Sequence, residues 1–171
     1  MRRTIWNRLD ALGREMTPFF FGILLILFSV IIFQMPSWAR VAPLFSLMVI
    51  YHWTVYRPDL MPGYAVFLIG LLQDVFCGTP LGVITLVYIT VYGILIFQQR
   101  YLTGRTFFVV WLGFVLLSAL TMMLIWLAVS ALGGGISDLN AMLHQFLLSA
   151  GFYPLLARLF LIWQIKILRP V

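Results

Sequence analysis

The chain has 171 residues, of which 63% are hydrophobic and only 9% are charged, and its mean hydropathy is +1.06. A soluble domain of this length cannot bury so much apolar surface, so the composition predicts an integral membrane protein. The formal charge of +6 would suggest nucleic-acid binding in a soluble protein, but here the basic residues separate long apolar runs. Cys77 is the single cysteine, which excludes an internal disulfide and a thiolate metal cage.

The N-terminal segment, residues 1–17, differs from the rest of the chain. Its apolar residues Ile5, Leu9, Leu12 and Met16 recur at helical spacing, and charged residues occupy the other faces. This pattern predicts an amphipathic helix that lies in the membrane interface, with a frayed cytoplasmic tail as the alternative. A cleaved signal peptide is disfavoured because the charged region is long and contains acidic residues.

Six apolar runs follow, separated by short segments rich in Pro, Gly and charge. A helix that spans a membrane needs roughly 20 apolar residues, and by this measure the second and third runs are short. The six predicted spans are residues 18–33, 43–56, 62–77, 81–97, 107–132 and 141–165.

The positions of the basic residues predict how the chain is oriented. With six spans and a cytoplasmic N-terminus, nine basic residues lie in cytoplasmic segments, only Arg40 lies in an outer loop, and Arg158 lies within the last span. If the second run were re-entrant, Arg57, Arg100 and Arg105 would move outside and the asymmetry would be lost. The positive-inside rule therefore favours six spans with both termini in the cytoplasm.

These patterns predict an all-α fold, a polytopic bundle of six transmembrane helices. We interpret residues 1–171 as a single integral membrane domain. It would consist of an interfacial segment at 1–17, the six-helix bundle at 18–165 and a cytoplasmic tail at 166–171.

Asp74 is the most conspicuous polar residue, because it stands in the apolar stretch GLLQDVFCGTPLG within the third predicted span. A carboxylate at such a position has two interpretations. It could carry a proton or a cation, or it could accept hydrogen bonds from the backbone of the turn 78–82 or from a neighbouring helix. The other polar residues within the spans supply only a thin proton relay, and they form no recognisable catalytic set.

Two further polar residues lie within predicted spans. His52 stands beside Tyr51 and Trp53, a pattern typical of an interfacial aromatic belt. Arg158 follows a proline by one turn, so its guanidinium either faces the bundle interior at a kink or extends to the cytoplasmic headgroups. His52 and His144 lie too far apart in depth to form a metal site, and we expect no cofactor.

Small residues in or at the ends of the spans predict close helix packing, either within the bundle or against a partner helix. In lipid, close approach depends on small side chains because helices gain no hydrophobic energy from meeting one another. The residues concerned are Gly22, Ser29, Gly63, Gly70, Gly93, Gly113, Ser118, Ser149 and Gly151.

The segments PLFSLMVIYHW, YRPDLMP, GLLQDVFCGTPLG and QQRYLTGR together resemble the rod-shape-determining membrane proteins of the MreD family. The resemblance covers the six-span layout over nearly the whole chain and is sharpest from residue 43 to residue 105. Its most specific element is an Asp followed shortly by Gly and Pro-Leu-Gly. Residue by residue, it points to a structural or partner-binding motif of Trp53, Arg57, Pro58, Gly70, Asp74, Pro80, Leu81 and Gly82.

The resemblance implies a non-enzymatic scaffold of the bacterial cell-elongation (rod) complex, the elongasome, in the cell inner membrane. Such a protein is needed for rod shape and lateral peptidoglycan synthesis. The resemblance implies binding to the single-pass protein MreC and, through it, to MreB, RodA and a class B penicillin-binding protein, with membrane lipid around the bundle and no nucleic acid.

The MreD family is also similar in fold to the substrate-binding subunits of energy-coupling-factor vitamin transporters. A substrate-binding membrane subunit of a vitamin-type transporter is therefore the alternative function. Within the family interpretation, Asp74 is expected to anchor the outer end of the third helix to the GTPLG turn, and so to fix a surface that a partner recognises.

Overall fold

The structure, a computed structural model, describes residues 22–25, 27, 43–132 and 139–167. Every regular element within these residues is helical, as the predicted all-α class requires. The elements are α1 (Phe45–Tyr56), a 3-10 turn (Pro58–Leu60), α2 (Gly63–Cys77), α3 (Val83–Leu102), α4 (Phe107–Ala131) and α5 (Leu139–Ile167). The predicted interfacial helix at 1–17, most of the first predicted span and the end of the predicted tail lie outside the described residues.

Helices occur where the second to sixth spans were predicted, with ends that differ by up to five residues. The largest difference is at the end of α3, which continues through a polar stretch to Leu102. Three described helices, α3, α4 and α5, are long and apolar enough to cross a membrane, as expected of a membrane protein. The number of spans, the limits of the domain and its orientation remain predictions.

Helices α1 and α2 are shorter than the membrane core. With 12 and 15 residues they are about 18 and 22 Å long, against roughly 30 Å of hydrocarbon. Helix α1 is enclosed by protein rather than by lipid, because residues 45–55 are all buried and α1 packs against α2, α3, α4 and α5. A helix that is apolar on every face is expected in this central position.

The central position of α1 corrects one prediction from the sequence. Tyr51, His52 and Trp53 are each at most 1% exposed, so they do not form an aromatic belt at the membrane surface. The sequence pattern of a belt and that of a buried aromatic core are the same, and only the packing of the other helices around α1 distinguishes them.

Hydrogen bonds join α1 to the helices and loops around it. They involve both backbone and side-chain groups, and they lie along the whole length of the helix. The pairs are Leu44 N–H to Ser149 Oγ (2.9 Å), Ser46 Oγ with Tyr88 Oη (2.7 Å), Tyr51 O–H to the Val110 carbonyl (2.8 Å) and Thr103 O–H to the Val55 carbonyl (3.3 Å). These bonds fix the depth of α1 relative to α3, α4 and α5.

Aromatic rings fill the space between α1, α4 and α5. The rings of Phe114 and Tyr153 are stacked with centroids 4.2 Å apart, and Tyr51 meets both rings edge-on at 5.4 and 5.6 Å. Gly113 permits this arrangement, since a Cβ there would lie 2.7 Å from the Tyr51 hydroxyl oxygen. The described interior is therefore closely packed around this cluster.

Candidate functional site

Asp74 lies at the end of α2 that faces the turn to α3, and it is completely buried. Its carboxylate accepts five hydrogen bonds of 2.7 to 3.2 Å, all from residues 79–85. Oδ1 accepts from the Thr79 hydroxyl (2.9 Å) and the Ile84 N–H (2.9 Å). Oδ2 accepts from the Gly82 N–H (3.0 Å), the Thr85 N–H (3.2 Å) and the Thr85 hydroxyl (2.7 Å).

This arrangement caps the N-terminus of α3. The first N–H groups of a helix lack partners within the helix, and a side chain at the cap position usually accepts from them. The residue at the cap of α3 is Gly82, which has no side chain, and Asp74 supplies the acceptor from the preceding helix. A negative charge at this point also interacts favourably with the helix dipole.

The carboxylate is best satisfied in its ionised form. All five partners are N–H or O–H groups that donate to it, and an ionised carboxylate accepts hydrogen bonds without donating any. A carboxylate accepting charge-assisted hydrogen bonds from several donors can be held within an apolar bundle without a cationic partner.

The turn between α2 and α3 has the backbone geometry that this cap needs. Gly78 ends α2 with φ of +65° and Gly82 precedes α3 with φ of +100°, and both values favour glycine. Between them, the Pro80 carbonyl accepts from the Val83 N–H at 3.2 Å. The sequence GTPLG thus folds back so that α3 begins directly beside Asp74.

Gly70 brings the two helices close enough for these hydrogen bonds. A Cβ at Gly70 would lie 2.7 Å from the Thr85 Cα, so only glycine fits against the α3 backbone there. Gly70 precedes Asp74 by one helical turn, so both residues face α3. Gly70, Asp74, Thr85 and the turn form one unit, which we call the Asp74 cap.

The structure divides the eight motif residues into two groups at opposite ends of α2. Five of them, Gly70, Asp74, Pro80, Leu81 and Gly82, belong to the Asp74 cap or its turn. The other three lie where α1 ends and the 3-10 turn begins: Trp53 is buried, Arg57 is half-buried and Pro58 opens the turn. The motif is therefore not a single site.

Leu81 differs from the rest of its group because it is 72% exposed at the tip of the turn. Within the described residues, no hydrogen bond joins Leu81 to the Asp74 carboxylate. With Pro80, which is also exposed, it forms the apolar tip of a turn that is hydrogen-bonded to Asp74 on either side of this tip. An exposed apolar tip of this kind is available to lipid or to another protein.

His52 and Arg158 occupy different surroundings. His52 is completely buried, its ring is 4.7 Å from that of Tyr56 and 5.0 Å from that of Phe160, and neither ring nitrogen has a hydrogen-bond partner in the described part of the chain. Arg158 is exposed on the outside of α5, which continues through Pro154, so its guanidinium does not face the bundle interior. The two residues do not form a common site.

Sequence analysis missed the hydroxyl groups that complete the cap. Thr79 and Thr85 both donate to Asp74, and neither was selected. A signal was present, because a buried carboxylate in an apolar helix requires donors, and these two threonines are the first two hydroxyl side chains that follow Asp74 in the sequence. Tyr88, which shares a hydrogen bond with Ser46 in the core, gave no signal that distinguishes it from other span residues.

Comparison with known proteins identifies a family. The family model described as rod shape-determining protein MreD matches residues 13–163, which is nearly the whole chain. The match includes both groups of motif residues and helices α1 to α5, except the end of α5. No match was found among curated proteins or among solved structures.

Proposed function

The chain belongs to the MreD family of rod shape-determining proteins, and we propose that it is a non-enzymatic scaffold of the cell-elongation complex. Family membership implies a role in determining rod shape and confirms the resemblance noted in the sequence. We further propose that the protein lies in the inner membrane, binds MreC, and is linked through MreC to MreB, RodA and a class B penicillin-binding protein. Its role in lateral peptidoglycan synthesis would then be to hold these partners together.

The Asp74 cap is the observation that best supports a scaffold. The buried carboxylate is fully engaged with five donors, so it fixes the α2–α3 turn and has no free lone pair directed at a substrate. A scaffold requires rigid surfaces of this kind. The exposed tip at Leu81 stands on the anchored turn and is a candidate contact for the partner.

The packing around α1 also favours a scaffold over a transporter subunit. A substrate-binding subunit needs a cavity with polar and aromatic groups that open toward one side of the membrane. In the described residues the centre of the bundle is filled by α1 and by the rings of Tyr51, Phe114 and Tyr153. The similarity to vitamin-transporter subunits stays an inference from the family.

A rescue experiment tests the proposal. In rod-shaped cells depleted of their own protein of this family, the wild-type chain should restore rod shape, while the purified chain should show no micromolar binding of any vitamin in a panel. Tight binding of a vitamin together with failure to restore rod shape would contradict the scaffold proposal. Restored rod shape without vitamin binding would support it.

The proposed orientation has its own test. Cysteine-accessibility labelling should detect a cysteine introduced at Thr103 only from the cytoplasmic side and one introduced at Gly134 only from the outer side. Labelling of position 103 from the outer side would contradict the six-span topology, even if the scaffold role is correct.

A further inference from the structure

The outer surface of the bundle has a groove of about 320 Å³ between α4 and α5. It lies near the end of the bundle where α4 finishes and α5 begins, and none of the residues that line it belongs to the Asp74 cap. Seven residues line it: Ala119, Met122, Met123 and Trp126 from α4, and Met142, Leu143 and Phe146 from α5. Both helices are long and apolar enough to span the membrane, so the groove faces the bilayer.

The lining of the groove selects an apolar occupant. None of the seven side chains is charged and six have no hydrogen-bond donor, so a polar or charged ligand would lose its hydration without compensation. Three of the seven are methionines, whose unbranched and flexible side chains adapt to chains of irregular shape. A flexible hydrocarbon chain meets both requirements.

Trp126 adds one polar feature to this surface. Its indole N–H has no acceptor in the described part of the chain, although buried indole N–H groups usually have one. Helix α4 has 25 residues and is about 37 Å long, so each of its ends extends roughly 4 Å beyond a hydrocarbon core of about 30 Å. Trp126 lies five residues, or about 8 Å, before the end of α4, which places it within a few ångströms of the boundary between the hydrocarbon and the ester carbonyls. An occupant with a long apolar chain and a carbonyl at one end satisfies both the groove and the indole.

We propose that this groove binds one acyl chain of a bilayer phospholipid, with the ester carbonyl accepting a hydrogen bond from Trp126. The acyl chain of the lipid lies against Met122, Met142 and Phe146. The flexible methionine side chains move aside so that the ester carbonyl reaches the indole N–H of Trp126. The proposal does not depend on the scaffold role, because it uses only the α4–α5 surface.

Photolabelling tests the proposal. The full-length protein is reconstituted in bilayer nanodiscs that contain a small fraction of a phospholipid with a diazirine in one acyl chain, and labelled residues are identified by mass spectrometry. Leu86 is the matched control, since it faces outward in the same half of the bundle and is 68% exposed, against 57% for Leu143 and 60% for Met123. Ordinary surrounding lipid would label Leu86 at least as strongly as the groove.

We expect labelling of Leu143 and Met123 to exceed that of Leu86 by roughly 2- to 10-fold, the factor that one added hydrogen bond supplies. Trp126→Phe keeps an aromatic ring but removes the N–H, so the ratio of groove labelling (Leu143 and Met123) to Leu86 labelling should fall close to one. Ala119→Phe narrows the groove and should have the same effect, with labelling of Leu86 unchanged. Equal labelling of Leu86 and the groove in the wild type, protection of the groove from lipid, or an unchanged ratio in both variants would overturn the proposal.

Discussion

Replacing Asp74 should separate the two interpretations of this residue that its sequence position leaves open. An asparagine has one oxygen where the carboxylate has two, so its amide NH2 must face one of the two groups of donors. If the oxygen takes the place of Oδ2, the Ile84 N–H is left without an acceptor, whereas the Thr79 hydroxyl can rotate and accept. One unsatisfied buried N–H corresponds to a loss of about 1 to 3 kcal/mol in the free energy of unfolding.

Asp74→Leu removes both oxygens at once. The N–H groups of Gly82, Ile84 and Thr85 then all lose their acceptor, and the expected loss is roughly 3 kcal/mol or more, because several buried donors are stranded together. The expected order of stability is therefore wild type, Asp74→Asn, Asp74→Leu. The measurement is the free energy of unfolding in mild detergent, together with the amount of protein in the membrane.

Asp59 offers a matched control for both substitutions. It is the exposed acidic residue of the 3-10 turn, and its carboxylate has no hydrogen-bond partner among the described residues. Asp59→Asn and Asp59→Leu should each change stability by about 0.5 kcal/mol or less. Equal stability of wild type and Asp74→Leu would refute the capping role. A normally stable Asp74→Asn protein that fails to restore rod shape would favour a proton-carrying role instead.

Two other pairs of substitutions test the packing of the bundle. Gly70→Ala places a Cβ 2.7 Å from the Thr85 Cα and should cost about 1 to 3 kcal/mol of stability. Gly93→Ala meets no atom of the described residues within 4 Å and should be neutral or stabilising by up to about 1 kcal/mol. Tyr51→Phe loses a 2.8 Å hydrogen bond to a backbone carbonyl and should cost about 0.5 to 1.5 kcal/mol. Tyr153→Phe removes a buried hydroxyl that has no hydrogen-bond partner among the described residues, so it should cost nothing measurable. Unfolding in detergent measures all four; equal effects within either pair would contradict the packing described.

Much of the helical layout was predictable because apolar runs in this chain are separated by proline, glycine and charge. The segment GTPLG predicted the turn between α2 and α3, and the carboxylate of Asp74 predicted that hydrogen-bond donors surround it. The local character of the cap explains this success: all five hydrogen bonds to Asp74 come from residues at most 11 positions further along the chain.

Features that depend on distant parts of the chain were not predictable. The burial of His52 follows from α3, α4 and α5 closing around α1, and no property of the segment YHW indicates this. Likewise, hydropathy could not show that Arg158 faces outward, because a guanidinium in a span suits either an interior site or the headgroup region.

The central claim, a membrane scaffold that binds a single-pass partner, is tested most directly by isolating the protein from native membranes. The tagged chain, solubilised in mild detergent after crosslinking, should recover MreC in amounts comparable to its own, and Asp74→Leu should recover less MreC per molecule of chain because the turn at Leu81 is no longer fixed. Asp59→Leu should behave as the wild type. Recovery of the chain without MreC, at a crosslinker concentration that captures other membrane complexes, would contradict the account.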